Sequence, residues 1–320
     1  MQTRLTKALA IDHPIISAPM GFAAGGRLAA AVTRAGGLGL IGGGYGDADW
    51  LEREFAEAGD VRVGCGLITW SLAKKPELLE LVLGRRPAAV MLSFGGLAPF
   101  AERIKTSGAK LICQVQTLAL AREAVAAGAD VVVAQGTEAG GHVQERTTFT
   151  LVPEIADYLA GAAPATLLAA AGGIVDGRTL AAVLMLGADG AVVGSRFWAS
   201  AEALVHKGLQ AAAIAADGDS TLRTRVADVA RRIDWPRQFP ARMLKTRFAM
   251  QWHGRETELA ESGTREREEA RYWQGFRTGD AENTCVLTSE AVGLIRDVAP
   301  AGEIVRRMVS EAEQRMARPR

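Results

Sequence analysis

The chain has 320 residues, 48% of them hydrophobic, enough to bury a large core in one domain or two. Its 37 Lys and Arg stand against 36 Asp and Glu, so a net charge of +1 provides no field to draw it to nucleic acid or an anionic membrane, and small-molecule partners are expected. Cys65, Cys113 and Cys285 are too far apart for metal-ligand spacing and too few for a disulfide framework; the N-terminus lacks an apolar signal region, and the reading is a reduced, cytoplasmic protein with no membrane span.

Short apolar runs alternate with amphipathic, Ala/Leu-rich stretches from the N-terminus onward. Eight runs predict strands, at 15–18, 38–41, 61–66, 88–92, 110–115, 131–134, 166–170 and 190–193. Between them, helices are expected at 26–35, 47–58, 74–83, 98–107, 118–127, 152–159 and 177–186, with another beginning near residue 199. Runs that are apolar on both faces imply parallel strands covered on both sides. Gly36, Gly128 and Gly187 each follow a predicted helix as a left-handed cap before the next strand. Eight such units predict an α/β fold of the (β/α)₈ TIM barrel type, with an open Rossmann-like sheet as the alternative.

The composition changes after about residue 208. The expected organisation is a barrel from 1–208 with 285–320, interrupted by a helical and loop segment, 209–284, that caps the barrel mouth or forms a homodimer surface. The Arg/Glu-rich runs of that segment read as a solvated helical face. Residues 291–317 are again amphipathic and read as helices packing back on the barrel.

A barrel's chemistry lies at the C-terminal ends of its strands. The first strand ends in Ala18-Pro19-Met20, and the sixth runs into Gln135-Gly136-Thr137-Glu138-Ala139-Gly140-Gly141-His142. His142 is the one side chain there with an unperturbed pKa suited to proton transfer near neutrality, although a Gly-rich turn with a solvent-exposed His has the same sequence form. Gly172-Gly173 and Gly194-Ser195 end the seventh and eighth strands, where barrels commonly hold a phosphate on backbone N–H groups. The G-x-G-x-x-G match at 37–42 lies inside an apolar run rather than at the opening of a helix, so it is not a dinucleotide fingerprint. His13, His206 and His253 share no Gly-rich strand end, no His pair has metal spacing, and no G-x-S-x-G elbow is present.

With these residues in place, the chain resembles the nitronate monooxygenases, formerly called 2-nitropropane dioxygenases. The matching stretches are PIISAPMGFAAGG, AQGTEAGGHV, TFTLVPEI and AAGGIVDGRTLAAVLMLGADGAVVGSRF, with RTRVADVARRIDWP and FAMQWHGRE matching more loosely. The resemblance implies an FMN-dependent barrel that oxidises alkyl nitronates or nitroalkanes with O2 to carbonyl compounds and nitrite. It implies that Ala18, Pro19, Met20 and Gln135 contact the flavin ring and that Gly140 and Gly141 line the FMN. It further implies that Gly172, Gly173, Gly194 and Ser195 hold the phosphate, and that His142, carried on a flexible Gly140–Gly141 hinge, is the catalytic base. The same superfamily includes flavin-dependent enoyl-thioester reductases and NAD(P)H:quinone reductases that share the AGGH segment, and a non-catalytic flavin-binding barrel is a third reading. One departure stands out: where many bacterial members have Gly-Val-Asn-Leu after the third strand, this chain has Gly66-Leu67-Ile68-Thr69.

Overall fold

The structure, a computed structural model, describes residues 1–317. Each of the eight apolar runs forms a strand: β1 (Ile15–Ser17), β2 (Leu40–Gly42), β3 (Gly64–Ile68), β4 (Ala89–Ser93), β5 (Lys110–Val115), β6 (Val131–Gln135), and then, after the short β7 (Gly141–His142), β8 (Leu167–Ala171) and β9 (Gly190–Val193). They pair in parallel in the order β1-β9-β8-β6-β5-β4-β3-β2. Leu38 closes the ring between the two end strands. Its carbonyl accepts from Ser17 N and its N–H donates to the Ile15 carbonyl, both at 2.9 Å.

Side chains from alternate strand positions fill the barrel interior, among them Ile16, Leu40, Met91, Ile112, Val131, Val133 and Val192. Leu5 joins them from the helix Arg4–Leu9, which shuts the base of the barrel. Six residues show too little periodicity to announce that helix in the sequence. The opposite strand faces pack under the surrounding helices in one continuous apolar layer.

Two helices differ from expectation for local reasons. The helix after β7 spans Thr148–Ala162 and carries Pro153 inside it, whereas a start at 152 would put that proline at the first turn. Its early turn is secured from outside, because the Glu138 carboxylate accepts from both the N–H and the hydroxyl of Thr148, each at 2.9 Å. After β9 the chain makes a single turn, Ser195–Trp198, and begins its next full helix at Lys207–Ala215. The 291–317 stretch divides into a 3-10 turn, Glu290–Leu294, and the helix Ala301–Met316, whose buried Ile304, Val305, Met308 and Ala312 face the barrel's outer layer.

The segment following the barrel strands brings β10 (Thr221–Thr224) and β11 (Ala241–Leu244), which form an antiparallel sheet in the order β10-β11-β7. This sheet and the adjoining helices have their own core, including Val226, Ala230, Met243, Phe248, Trp252 and Tyr272. The reading of its charge runs as a solvated face is corrected here. Glu266 and Arg267 are exposed, but Asp228 is 1% and Glu268 4% exposed. Glu268 accepts from Trp252 Nε1 at 3.2 Å and from Arg271 at 3.0 Å, which satisfies a carboxylate that burial would otherwise penalise. Among the described residues no helix is long and apolar enough to cross a membrane.

Candidate active site

Ala18, Pro19 and Met20 beyond β1, Gln135 at the end of β6, Gly140, Gly141 and His142, Gly172 and Gly173 beyond β8, and Gly194 and Ser195 beyond β9 all line one cavity at the C-terminal mouth of the barrel. The cavity and its open mouth together span about 1260 Å3 of atom-free space. His13, His206 and His253 do not line it. Among the described residues no group of His, Cys, Asp and Glu is arranged to hold a metal ion.

The donors around this cavity fit a phosphate-bearing ring cofactor. Gly172 and Gly173 both adopt left-handed backbone, φ 101° and 73°, and a Cβ on Gly172 would stand 2.9 Å from the Gly136 carbonyl oxygen. Among the described residues the N–H groups of Gly172, Gly173 and Gly194 have no protein acceptor, so three backbone donors are open at two neighbouring strand ends. The Ser195 hydroxyl accepts from Ser289 N at 2.9 Å, which leaves its own proton free to donate. On the neighbouring strand, in register with Ala171, Gln135 Oε1 accepts from Gln114 Nε2 at 2.9 Å and Gln116 Nε2 at 2.8 Å. Those two bonds fix the amide orientation and reserve Gln135 Nε2 as the donor for a ligand.

At the departure after β3, Ile68 lines the cavity while Thr69 turns its hydroxyl to the Ser93 carbonyl at 2.9 Å. Gly66 earns its place sterically, since a Cβ there would lie 2.2 Å from Pro19 Cγ. The β3 end is therefore an apolar edge, and the amide donor of this site comes from Gln135.

His142 is held on three sides. Its backbone belongs to β7, in register with Ala241 of β11, and Gly141 is opposite Arg242. A Cβ on Gly140 would stand 2.5 Å from the Thr288 backbone. The flexible hinge expected at Gly140–Gly141 is thus corrected: glycine is required here for close approach and for the φ of 75° at Gly141, and the segment is pinned in a sheet. The imidazole stacks on Trp235 with ring centres 3.4 Å apart and planes 11° off parallel. Its Nε2 lies 3.0 and 3.1 Å from the two oxygens of Asp228.

Asp228 in turn accepts from Arg231 at 2.9 Å, with both side chains 5% exposed or less. A carboxylate can only accept, so Nε2 carries the proton and Nδ1 is the nitrogen left to receive one. Burial pulls the His142 pKa below the ordinary 6.5, the hydrogen bond and charge of Asp228 pull it up, and the Arg231 charge adds to the lowering. The net direction is downward, which keeps the imidazole neutral near pH 7.

Asp228, Arg231, Trp235 and Tyr45, whose hydroxyl lies 3.1 Å from Trp235 Nε1, are site residues that the sequence reading did not single out. One signal was present. Asp228 is a lone carboxylate in the short helix Val226–Ala230, whose other residues are all apolar, and a charge set so has to find a buried partner. Glu138, left without a role in the sequence, secures the helix at Thr148 and accepts from Ser289 Oγ at 2.8 Å through its carbonyl.

The nitronate monooxygenase family model matches residues 2–63 and 71–311. The nitronate monooxygenase npaC of Metarhizium robertsii is 34% identical over 93% of this chain and 90% of its own length. A (3aS,4S,5R,7aS)-5-hydroxy-7a-methyl-1-oxo-octahydro-1H-indene-4-carboxyl-CoA dehydrogenase of Mycobacterium tuberculosis is 33% identical over 83% of this chain and 70% of its own. Among solved structures, FabK from Thermotoga maritima superposes with a TM-score of 0.85 at 31% identity, covering 99% of this chain and 97% of that one. A match over nearly the whole chain, on a barrel with its cavity at the expected strand ends, identifies the chain as a member of the nitronate monooxygenase family of flavin-dependent oxidoreductases.

Proposed function

We propose that the protein binds FMN in this cavity and oxidises alkyl nitronates, together with the nitroalkanes that give rise to them, using O2 to release a carbonyl compound and nitrite. The observation that carries the reading is His142: an imidazole neutral near pH 7, its Nε2 committed to Asp228 and its Nδ1 open, lining the same cavity as the free donors of Gly172, Gly173, Gly194 and Gln135. The phosphate is assigned to those glycine N–H groups and Ser195, the ring edge to Gln135 Nε2, and one ring face to Ala18, Pro19 and Met20. Bound flavin supplies the electron transfer between the nitronate and dioxygen. The chain's own contribution is to orient the substrate, to exclude water behind Trp235 and Phe94, and to take the α-proton of a neutral nitroalkane on His142 Nδ1. Residues 209–284 act in this reading as the lid that carries Asp228 and Trp235 to the base. The test is nitrite and acetaldehyde production from ethylnitronate in air by the yellow, purified protein; a flavin-loaded protein that makes neither overturns it.

Two expectations follow for this site. A Cβ on Gly194 would meet only Ala18 Cβ at 3.6 Å and Met20 Sδ at 3.8 Å, ordinary contact distances, so Gly194→Ala adds a methyl at the cavity wall without a clash. Its expected effect is about tenfold weaker flavin binding, by loss of roughly 1.4 kcal/mol, with an unchanged melting temperature of the flavin-stripped protein. Flavin titration and a thermal melt of each apoprotein check both halves.

The second concerns pH. Because the His142 pKa lies below 6.5 in the folded protein, its base form persists below that value. The acid limb of kcat/KM for a neutral nitroalkane is expected beneath pH 6.5. The same shift acts on stability. As pH falls through 6.5 the unfolded chain gains a proton that the folded chain does not, so this residue's contribution is full above 6.5 and is lost on the way down to the folded pKa. An acid limb at or above 6.5 would contradict the assignment.

A further inference from the structure

The cavity wall on the His142 side is aromatic and strained. Phe22 and Phe94 both line it, and both hold φ of 63°, a left-handed backbone that a bulky side chain rarely adopts. Glycine sits immediately beside each of them, at Gly21 and at Gly95, yet the left-handed conformation falls on the phenylalanine. Phe94 packs edge-to-face on Trp235 at 5.0 Å and is 6.3 Å from His142. From there the rings run outward: Trp235 to Tyr45 at 6.2 Å, and Tyr45 to Phe22 at 6.0 Å, with Phe22 38% exposed at the rim. A substrate whose reacting carbon is beside His142 thus extends toward the mouth along a continuous track of ring faces and edges.

The same wall is poor in charge. Among the residues lining the cavity, Arg231 is the only lysine or arginine, and its guanidinium is already paired with Asp228. A second anionic group on a substrate would meet rings, Ile68 and Leu287 in place of a free cation, and the Tyr45 hydroxyl alone would repay little of its lost hydration. Resting on the nitronate reading above, we infer that this cavity selects nitronates whose chain ends in an aryl or comparably bulky apolar group, and discriminates against those that carry a carboxylate. Phe22 and Phe94 are the specificity-determining side chains.

The test compares kcat/KM of the flavin-loaded protein for the nitronates of 2-phenyl-1-nitroethane, nitroethane and 3-nitropropionate. The phenyl compound is expected to exceed ethylnitronate by about tenfold, the order of one buried aromatic contact, with the carboxylate compound the poorest of the three. Phe22→Leu and Phe94→Leu, which keep an apolar side chain, are each expected to lower the phenyl-to-ethyl ratio severalfold, and Phe94→Gly, which also relieves the backbone, to lower it most. A carboxylate nitronate turned over as well as the phenyl compound, or a ratio unmoved by all three variants, overturns the inference while leaving the nitronate reading in place. No turnover of any nitronate overturns the reading on which it rests.

Discussion

His142→Asn is expected to reduce kcat/KM for neutral nitroethane by roughly 100- to 10,000-fold, the usual worth of a positioned general base, while turnover of preformed ethylnitronate falls far less. The difference comes from the proton. Nitroethane must lose its α-proton before it is electron-rich enough to react, and in this cavity Nδ1 of His142 is the acceptor left open once Nε2 is committed to Asp228. Ethylnitronate has already lost that proton. Asparagine offers no basic nitrogen and gives up the stack on Trp235, and its amide stops short of the Nε2 position, so Asp228 keeps Arg231 as its partner. Steady-state nitrite release with each substrate, at one pH and one flavin occupancy, measures the two losses side by side. Equal losses would mean that His142 serves orientation or cofactor binding alone, and the base assignment would fall.

The barrel was legible in the sequence because parallel strands buried on both faces must be apolar at nearly every position. The run Val131-Val132-Val133 and the stretch after Lys110 could be placed without knowing their neighbours. Strand ends were legible for a related reason: Gly172-Gly173 and Gly194 mark positions where the backbone itself forms the cavity wall, and the structure brings them together there with Gln135 and His142. The clamp around His142 was not legible. β7 is two residues long, and its partner β11 lies about a hundred residues further on, so no local period announces the pairing. The Asp228–Arg231 pair sits within a run of arginines and acids that charge patterning assigns to solvent, and only the tertiary fold buries it. Asp228, Arg231 and Trp235, far along the chain from the barrel strands, thus complete the surroundings of His142, while the glycine-rich strand ends come from the barrel.

Asp228→Asn is expected to lower nitroalkane turnover by about 100-fold, somewhat short of the full loss of the base, by misdirecting the tautomer of His142. With a carboxylate opposite, Nε2 must be the protonated nitrogen. An amide can instead donate to Nε2, and the imidazole can then place its proton on Nδ1, where it cannot accept one from substrate. A second consequence separates this from simple misfolding. The hydrogen bond and charge of Asp228 raise the His142 pKa against burial, so their removal sends that pKa lower still and shifts the acid limb of kcat/KM further toward acid. Stability falls as well, by about 3–5 kcal/mol, because the buried Arg231 loses its partner. The pH profile of a folded, flavin-loaded variant is therefore the decisive measurement. A limb that stays in place or moves toward neutral pH would show that Asp228 supports the lid without governing the protonation of His142, whereas a limb displaced to lower pH ties the lid directly to the chemistry in the barrel mouth.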